Sequence, residues 1–368
     1  MSKLGRVLVA MSGGIDSTVT AMMMHEQGYE VIGITMKTWD YANSGAARKE
    51  TGCCSLDSIN DARQVAVNMG FHHFIVDIRE DFGDYVIDNF VDEYMAGRTP
   101  NPCVLCNTHI KWNSLLKRAD ALDCEFIATG HYAIINEQNG RKFITKAVDE
   151  QKDQSYVLWG LSQECLNRSK FPLGSYTKPE IRQMAYDWGY EELSKKAESF
   201  EICFVPDNDY RNFLKNRVEG LEQKVAGGNF ISSTGEVLGQ HEGYPFYTIG
   251  QRKGLKIALG KPMYVTEIRP QTNTVVLGEV DELIKNGMMV NGINTMKYPM
   301  IPDGLEVVTK IRYKDRGTLS ALRQTDIPNQ VKVDFFANVK GIAPGQSAVF
   351  YEGKDVVGGG IIHSGQMN

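Results

Sequence analysis

A chain of 368 residues is long enough for two or three domains at roughly 150 residues each. Its 42% hydrophobic and 23% charged residues exclude a disordered or fibrous chain, and no apolar run approaches the roughly 20 residues of a membrane-spanning helix. A net charge of −5 argues against a general nucleic-acid coat protein, which would be basic, although Lys285–Asn368 alone carries a net +3.

The first ten residues run straight into an apolar strand pattern and lack the layout of a signal peptide, so a cytoplasmic location is expected. Arg6–Met11 reads as that strand, Ser17–Gln27 as a helix and Tyr29–Met36 as a second strand. Tyr41–Gly52 is polar and rich in small residues, as a mobile loop would be. Ser55–Met69 reads as a helix with Ser55 as N-cap. Phe71–Ile78 and Glu125–Thr129 are further strands, and Trp112, Leu115, Leu116, Ala119 and Leu122 recur at helical spacing between them. Strands alternating with helices predict a parallel sheet covered on both faces, with ligands at the strands' C-terminal ends.

Ile135–Gln154 interrupts this rhythm, beginning as a hairpin at the turn signal Asn139-Gly140. Pro206–Arg217 reads as a linker and short helix, after which glycines become dense and strands short. Alternating runs at Val307–Tyr313, Thr318–Arg323, Gln330–Phe336, Ser347–Tyr351 and Val356–His363 predict an antiparallel sheet or small barrel.

Two sites carry chemistry. Ser12-Gly13-Gly14-Ile15-Asp16-Ser17 joins the first strand to the first helix. Its glycines allow close backbone approach to a phosphate, and the helix start offers free N–H groups. It is neither a Walker loop nor a G-x-G-x-x-G loop. Asp16 is unusual in an anion site, unless it orients the loop or faces a Mg²⁺ held by phosphates. The second site is made of thiols. Seven cysteines, an odd number, all lie within the first 203 residues and do not read as a disulfide framework. Cys106 precedes the Trp112 helix, and a cap at Asn107 or Thr108 would place it just outside a helix N-terminus, where a thiolate is stabilised. Cys203 lies in Ile202-Cys203-Phe204-Val205, a setting that also suits an inert core cysteine. Cys103 and Cys106 form a C-x-x-C, so zinc with Cys53 and Cys54, or an iron–sulfur cluster on Cys106 and Cys203, stays open.

S-G-G-x-D-S after a first strand resembles the pyrophosphate loop of N-type ATP pyrophosphatases. Five further stretches, in this order, narrow the resemblance: T-P-N-P-C-V-L-C-N from Thr99, A-T-G-H-Y-A from Ala128, K-D-Q-S-Y from Lys152, E-I-C-F-V-P-D from Glu201 and Y-T-I-G-Q-R-K-G-L from Tyr247. With A-P-G-Q-S-A-V-F-Y from Ala343, they resemble the bacterial-type tRNA-specific 2-thiouridylases over nearly the whole chain. The resemblance implies an α/β parallel-sheet ATP-pyrophosphatase domain (adenine nucleotide alpha hydrolase-like) over 1–207. A small central domain over 208–280 and a C-terminal antiparallel β-barrel over 281–368, contacting tRNA, would follow.

It further implies an enzyme that uses ATP and Mg²⁺ to convert the wobble uridine of tRNAs for Lys, Glu and Gln to 2-thiouridine. A cysteine desulfurase or sulfur-relay protein would supply the sulfur. By this resemblance Ala10, Met11, Ser12, Gly13, Gly14, Ile15, Asp16 and Ser17 hold ATP, with Met36 and Gly130 near the adenosine. Cys106 is the nucleophile and Cys203 carries the persulfide. Asn101, Pro102 and Cys103 meet the target base, and His131, Lys152, Asp153, Gln154, Arg312, Tyr313 and Gln346 contact tRNA. The chain departs from the family at Cys103, where an Asp is usual, and at Phe200, where a polar residue is usual. Other adenylating pyrophosphatases and a non-enzymatic tRNA-binding or metal-binding protein are the competing readings. None of these needs the Cys106 and Cys203 pair for catalysis.

Overall fold

A computed structural model describes residues 4–39, 56–196, 202–205 and 209–366. The expected loop at 41–52, Cys53, Cys54, the Ser55 cap and Phe200 lie outside the described residues. The chain divides into two compact units.

The first unit comprises residues 1–85, 103–208 and 354–356. Its central sheet holds β1 (Arg6–Ala10), β2 (Glu30–Lys37), β3 (His72–Asp77), β4 (Phe126–Ala128) and the short β7 (Ser169–Lys170). The order is β3-β2-β1-β4-β7 and every neighbouring pair is parallel. Side chains alternate across β1: Val7 and Val9 pack with Ala21, Met24, Ala62 and Val65 on one face. Leu8 packs with Ile34, Leu115, Ala119 and Ile127 on the other. A sheet covered by helices on both faces is the predicted architecture. The strand order reverses at β1 and β4, so the crevice for a ligand lies beyond their C-terminal ends.

Between β4 and β7 the hairpin of β5 (Ala133–Gln138) and β6 (Arg141–Lys146) turns at Asn139 and Gly140, with φ of 53° and 74°. Those paired left-handed angles match the twist of a two-residue hairpin and explain the Asn-Gly signal.

The second unit comprises residues 86–102, 209–353 and 357–368. A mixed sheet of order β10-β11-β8-β9 is built from β8 (Gly228–Ser232), β9 (Val237–His241), β10 (Tyr264–Arg269) and β11 (Thr274–Gly278). Within this unit the helix Asp88–Met95 is anchored by aromatic residues. Tyr94 stacks on Tyr210 at 4.6 Å, Phe90 meets Phe213 edge-on, and the Tyr244 hydroxyl donates to the Met95 carbonyl at 2.7 Å.

The remaining strands are β12 (Ile284–Thr295), β13 (Leu305–Lys310), β14 (Thr318–Gln324), β15 (Gln330–Lys340), β16 (Ser347–Glu352) and β17 (Asp355–Gln366). They run in the order β12-β15-β14-β13-β16-β17, and β12 pairs back onto β17, closing a six-stranded barrel. Met288, Val290, Leu322, Val333 and Phe350 fill its core. The sequence pattern misses β12, whose Asn and Gly residues break the apolar alternation. It also overextends β13: the strand ends at Lys310, and Arg312 and Tyr313 lie in the following turn, where Asp315 accepts the Ile311 amide. No helix among the described residues is long and apolar enough to cross a membrane.

Candidate active site

The loop between β1 and the helix Ile15–Glu26 is built as an anion cradle. Gly14 is the N-cap of that helix, so helix formation starts two residues before the expected Ser17. Gly13 has φ of +68°, and a Cβ there would stand 1.9 Å from the Ser58 carbonyl oxygen. Only glycine satisfies both the backbone angle and the space. Ser17 Oγ donates to the Gly14 carbonyl and accepts the Ser12 amide, each at 3.0 Å, so its hydroxyl shapes the loop from within. Met11 donates its amide to Ile34, and its carbonyl accepts from Thr35. Those bonds tie Ala10 and Met11 to β2, whose C-terminal end carries Met36. Gly130, two residues past β4, packs on the start of the same helix: a Cβ there would lie 2.9 Å from the Asp16 carbonyl carbon and 3.0 Å from the Ser17 nitrogen. The sequence-predicted nucleotide residues thus converge at the ends of β1, β2 and β4.

Asp16 is already partnered. Both its oxygens accept from Lys178 Nζ at 2.8 Å, and Oδ1 also accepts the Tyr132 hydroxyl at 2.8 Å. Lys178 is buried at the first position of the helix Lys178–Asp187, at the positive end of the helix dipole, which repels a cation. Its pairing with Asp16 offsets that repulsion. Sequence reasoning misses Lys178 and Tyr132, because their meeting with Asp16 is a tertiary event. Lys196 Nζ also reaches the loop, donating to the Gly13 carbonyl at 3.1 Å and to Asp61 at 2.7 Å.

The thiol site departs from expectation in one respect. The helical stretch starts at Pro102, not at a cap at Asn107 or Thr108: Pro102–Leu105 is α-helical, Cys106–Lys111 is a π-helical turn and Trp112–Ala121 continues as α-helix. Proline is pre-organised for a first helical position and lacks the N–H that would go unpaired there. Cys103 therefore occupies the first turn and Cys106 the second, where the helix dipole contributes less. Wide turns of this kind recur at functional sites. This one is held by Asn107, whose side-chain amide donates to the Val157 carbonyl at 3.2 Å. Gly160 also packs so closely on it that a Cβ would meet Thr108 Oγ1 at 2.1 Å.

Cys106 is buried, whereas Cys103 is exposed. Crowding of the Cys103 sulfur by protein atoms pushes its thiol above the ordinary 9.0, and Lys111 opposes the shift only in part. Cys203 is exposed too, so it is not an inert core thiol. Its neighbour Phe204 is buried and meets Phe82 edge-on at 5.7 Å. Phe82 belongs to the short helix Arg79–Phe82, which packs against the Cys106–Lys111 turn. One helix thus contacts the segments carrying both cysteines, which are distant in sequence.

The sequence-predicted RNA contacts divide by exposure. Lys152 is half-buried. Asp153 is buried and accepts from the Ala147 amide and the Ser155 hydroxyl. Gln154 brackets Tyr132, accepting its amide and donating to its carbonyl. His131 Nδ1 pairs with Thr129 Oγ1 at 2.8 Å, and its ring packs against both Trp112 and Phe171, which also meet each other edge-on. Burial first, and Lys111 second, push it down to about 3, so it is neutral at pH 7. In the second unit, Gln346 Nε2 donates to the Thr99 and Pro100 carbonyls at 3.1 and 2.7 Å, and the Thr99 amide donates to the Pro344 carbonyl. Gln346 thereby holds the segment that leads into Asn101 and Pro102. Tyr313 is exposed.

Three family profiles match the chain in sequence: "tRNA methyl transferase HUP domain" over residues 5–207, "tRNA methyl transferase PRC-barrel domain" over 211–279 and "Aminomethyltransferase beta-barrel domain" over 285–362. The chain is 63% identical over 362 residues to the tRNA-specific 2-thiouridylase MnmA of Amoebophilus asiaticus, covering 98% of this chain and 96% of that protein. It is 63% identical to the protein of the same name from Cytophaga hutchinsonii, with 99% of each chain covered. For that of Salinibacter ruber the identity is 57%, with 99% and 95% covered. With such identity over almost its full length, the chain belongs to the MnmA family of tRNA-specific 2-thiouridylases.

Proposed function

We propose that this chain is an ATP-dependent tRNA sulfurtransferase that replaces the C2 oxygen of the wobble uridine with sulfur, giving 2-thiouridine, AMP and pyrophosphate. The observation that carries this reading is the pairing, in one unit, of a phosphate cradle with two cysteines whose segments contact a common helix. A methyl transfer, which the family profiles' names mention, needs neither ATP cleavage nor paired thiols.

The C2 oxygen of uridine is a poor leaving group. Its attack on the α-phosphorus of ATP expels pyrophosphate and converts it to a good one. In this reading residues 10–17 hold the phosphates, with Met36 and Gly130 beside the adenosine. Asp16 already accepts from Lys178 and Tyr132, so Mg²⁺ would be held chiefly by the nucleotide phosphates, where it would neutralise the charge on the departing pyrophosphate. The terminal sulfur of a Cys203 persulfide then attacks C2 and AMP departs. The Cys106 thiolate attacks the Cys203 sulfur, which breaks the S–S bond and leaves sulfur on C2. If Cys106 instead releases hydrosulfide from the persulfide first, the same Cys106–Cys203 disulfide results. Either route needs an external thiol reductant to restore the two cysteines.

Asn101, Pro102 and Cys103, at the start of the helix bearing Cys106, would meet the flipped base. A wobble uridine lies in a single-stranded loop, where flipping costs less than in a duplex. Lys152, Arg312 and Tyr313 would contact RNA directly, neutral His131 would offer a hydrogen bond or ring face, and Asp153, Gln154 and Gln346 would act through the backbone they hold. The reading extends to tRNAs for Lys, Glu and Gln, to a cysteine desulfurase or sulfur-relay donor, to a cytoplasmic setting and to divisions at 207/208 and 280/281. The test is mass spectrometry of nucleosides from unmodified tRNA incubated with the protein, Mg-ATP and a persulfide source. ATP-dependent 2-thiouridine supports the reading, and its absence, with tRNA and donor verified, overturns it.

A further inference from the structure

The stretch Tyr247–Leu255 and its continuation to Met263 carry no part of the chemistry above. Thr248–Met263 nonetheless contains Arg252, Lys253, Lys256 and Lys261 and no acidic residue. It forms an irregular loop between the short helix Tyr244–Phe246 and β10, within the second unit.

The loop has a built shape. Gly250 donates its amide to Val265, and Val265 returns one to Gln251. The Gln251 side chain accepts the Thr248 amide and donates to the Lys253 carbonyl. Leu255 is buried and pins the middle of the loop. Gly250 and Gly254 take φ of 85° and 73°, and Lys256, which is not a glycine, takes 56°. A side chain at such an angle costs energy, so surrounding contacts must hold it there. The loop encloses a cleft of about 460 Å³, with Arg252, Lys256 and Lys261 among its lining residues. Lys256 and Lys261 are paired with Glu242 and Glu279. Arg252 and Lys253 are exposed and have no acidic partner among the described residues. The Arg211 guanidinium lies over the Tyr247 ring at 5.5 Å, adding a third cation beside Gly254.

We propose that this shaped loop is an RNA-backbone contact, with Arg252 and Lys253 as its phosphate-binding side chains. The proposal rests on tRNA being the substrate. In a chain of net charge −5, RNA binding has to come from local cationic patches, and a polyanion is the partner such a patch fits. Contacts of this kind position the RNA without reading its bases.

The test measures the affinity of the full chain for unmodified tRNA against salt concentration, with Arg252→Gln/Lys253→Gln beside wild type. Lys117→Gln/Lys224→Gln, two exposed lysines elsewhere, is the charge-matched control. The loop variant should bind about tenfold more weakly near 0.15 M salt, and its log–log salt slope should shrink by roughly 1.5. Its kcat at saturating tRNA should match wild type. Equal losses in loop and control variants would overturn the proposal, since they would reflect net charge alone. So would unchanged tRNA affinity accompanied by loss of sulfur loading from a protein donor, which would make the loop a protein-docking site. If wild type itself fails to bind or thiolate tRNA, the functional reading fails. If wild type does both and the loop variant binds equally well, only this proposal fails.

Discussion

Lys178 Nζ lies 2.8 Å from each carboxylate oxygen of Asp16, so a buried cation cancels the one acidic side chain of the phosphate loop. An uncompensated carboxylate there would repel a polyphosphate. Lys178→Met should therefore raise the KM for ATP strongly and cost on the order of 2 kcal/mol of stability, less than a fully buried pair would because Asp16 is one-third exposed. Asp16→Asn combined with Lys178→Met should recover part of both losses. ATP titrations and urea unfolding of the two single variants and the double variant check this. A double variant no better than Lys178→Met would mean that the lysine touches the nucleotide itself.

His131 provides a pH test. Its folded-state pKa, about 3, lies below the ordinary 6.5, so the unfolded chain binds the proton more readily between those values. Stability must fall as pH drops from about 6.5 toward 3 and is unaffected by this group above it. His131→Gln, which can keep the hydrogen bond to Thr129, should lose less stability than wild type between pH 7 and pH 4. Parallel stability profiles of the two proteins would contradict the burial argument.

Cys103 is exposed, and its surroundings push its thiol above the ordinary range. Its alkylation by iodoacetamide should be slow at pH 7 and still rising at pH 9, read by peptide mass spectrometry. A plateau below pH 8 would show a stabilised thiolate instead, and with it an anion among the residues proposed to meet the target base.

Gln346 clasps the backbone before the Cys106 helix through two donated hydrogen bonds. Gln346→Glu would place a carboxylate against two carbonyl oxygens, so it should impair kcat more than Gln346→Ala, by about tenfold or more. The affinity for tRNA should change little in either variant. Lost affinity with an unchanged kcat would assign Gln346 to direct RNA contact.

Local chemistry made parts of this molecule legible in sequence. The continuous apolar run Val7-Leu8-Val9 reports a strand buried on both faces, Asn139-Gly140 reports the β5–β6 hairpin, and Gly13 reports a loop position that admits no side chain. Long-range arrangements were not legible. Nothing near Asp16 in sequence announces Lys178 or Tyr132, and nothing around Cys203 announces that it is exposed. The start of the Cys106 helix was missed because Pro102 signals a helix start from inside the element, whereas Asn107 and Thr108 mimic caps. Strand β12 was missed because barrel closure, through pairing with both β15 and β17, stabilises a segment that lacks strand-like alternation.

The central claim is that Cys106 and Cys203 act as one sulfur-transfer pair. The direct measurement is a single turnover of enzyme preloaded with persulfide on Cys203, with Mg-ATP and unmodified tRNA and no added reductant. Nucleosides and cysteine-containing peptides are quantified from the same sample. The account predicts one Cys106–Cys203 disulfide for each 2-thiouridine formed, and no 2-thiouridine from Cys106→Ser or Cys203→Ser. Thiolation that leaves both cysteines as free thiols, or that survives either substitution, would contradict it.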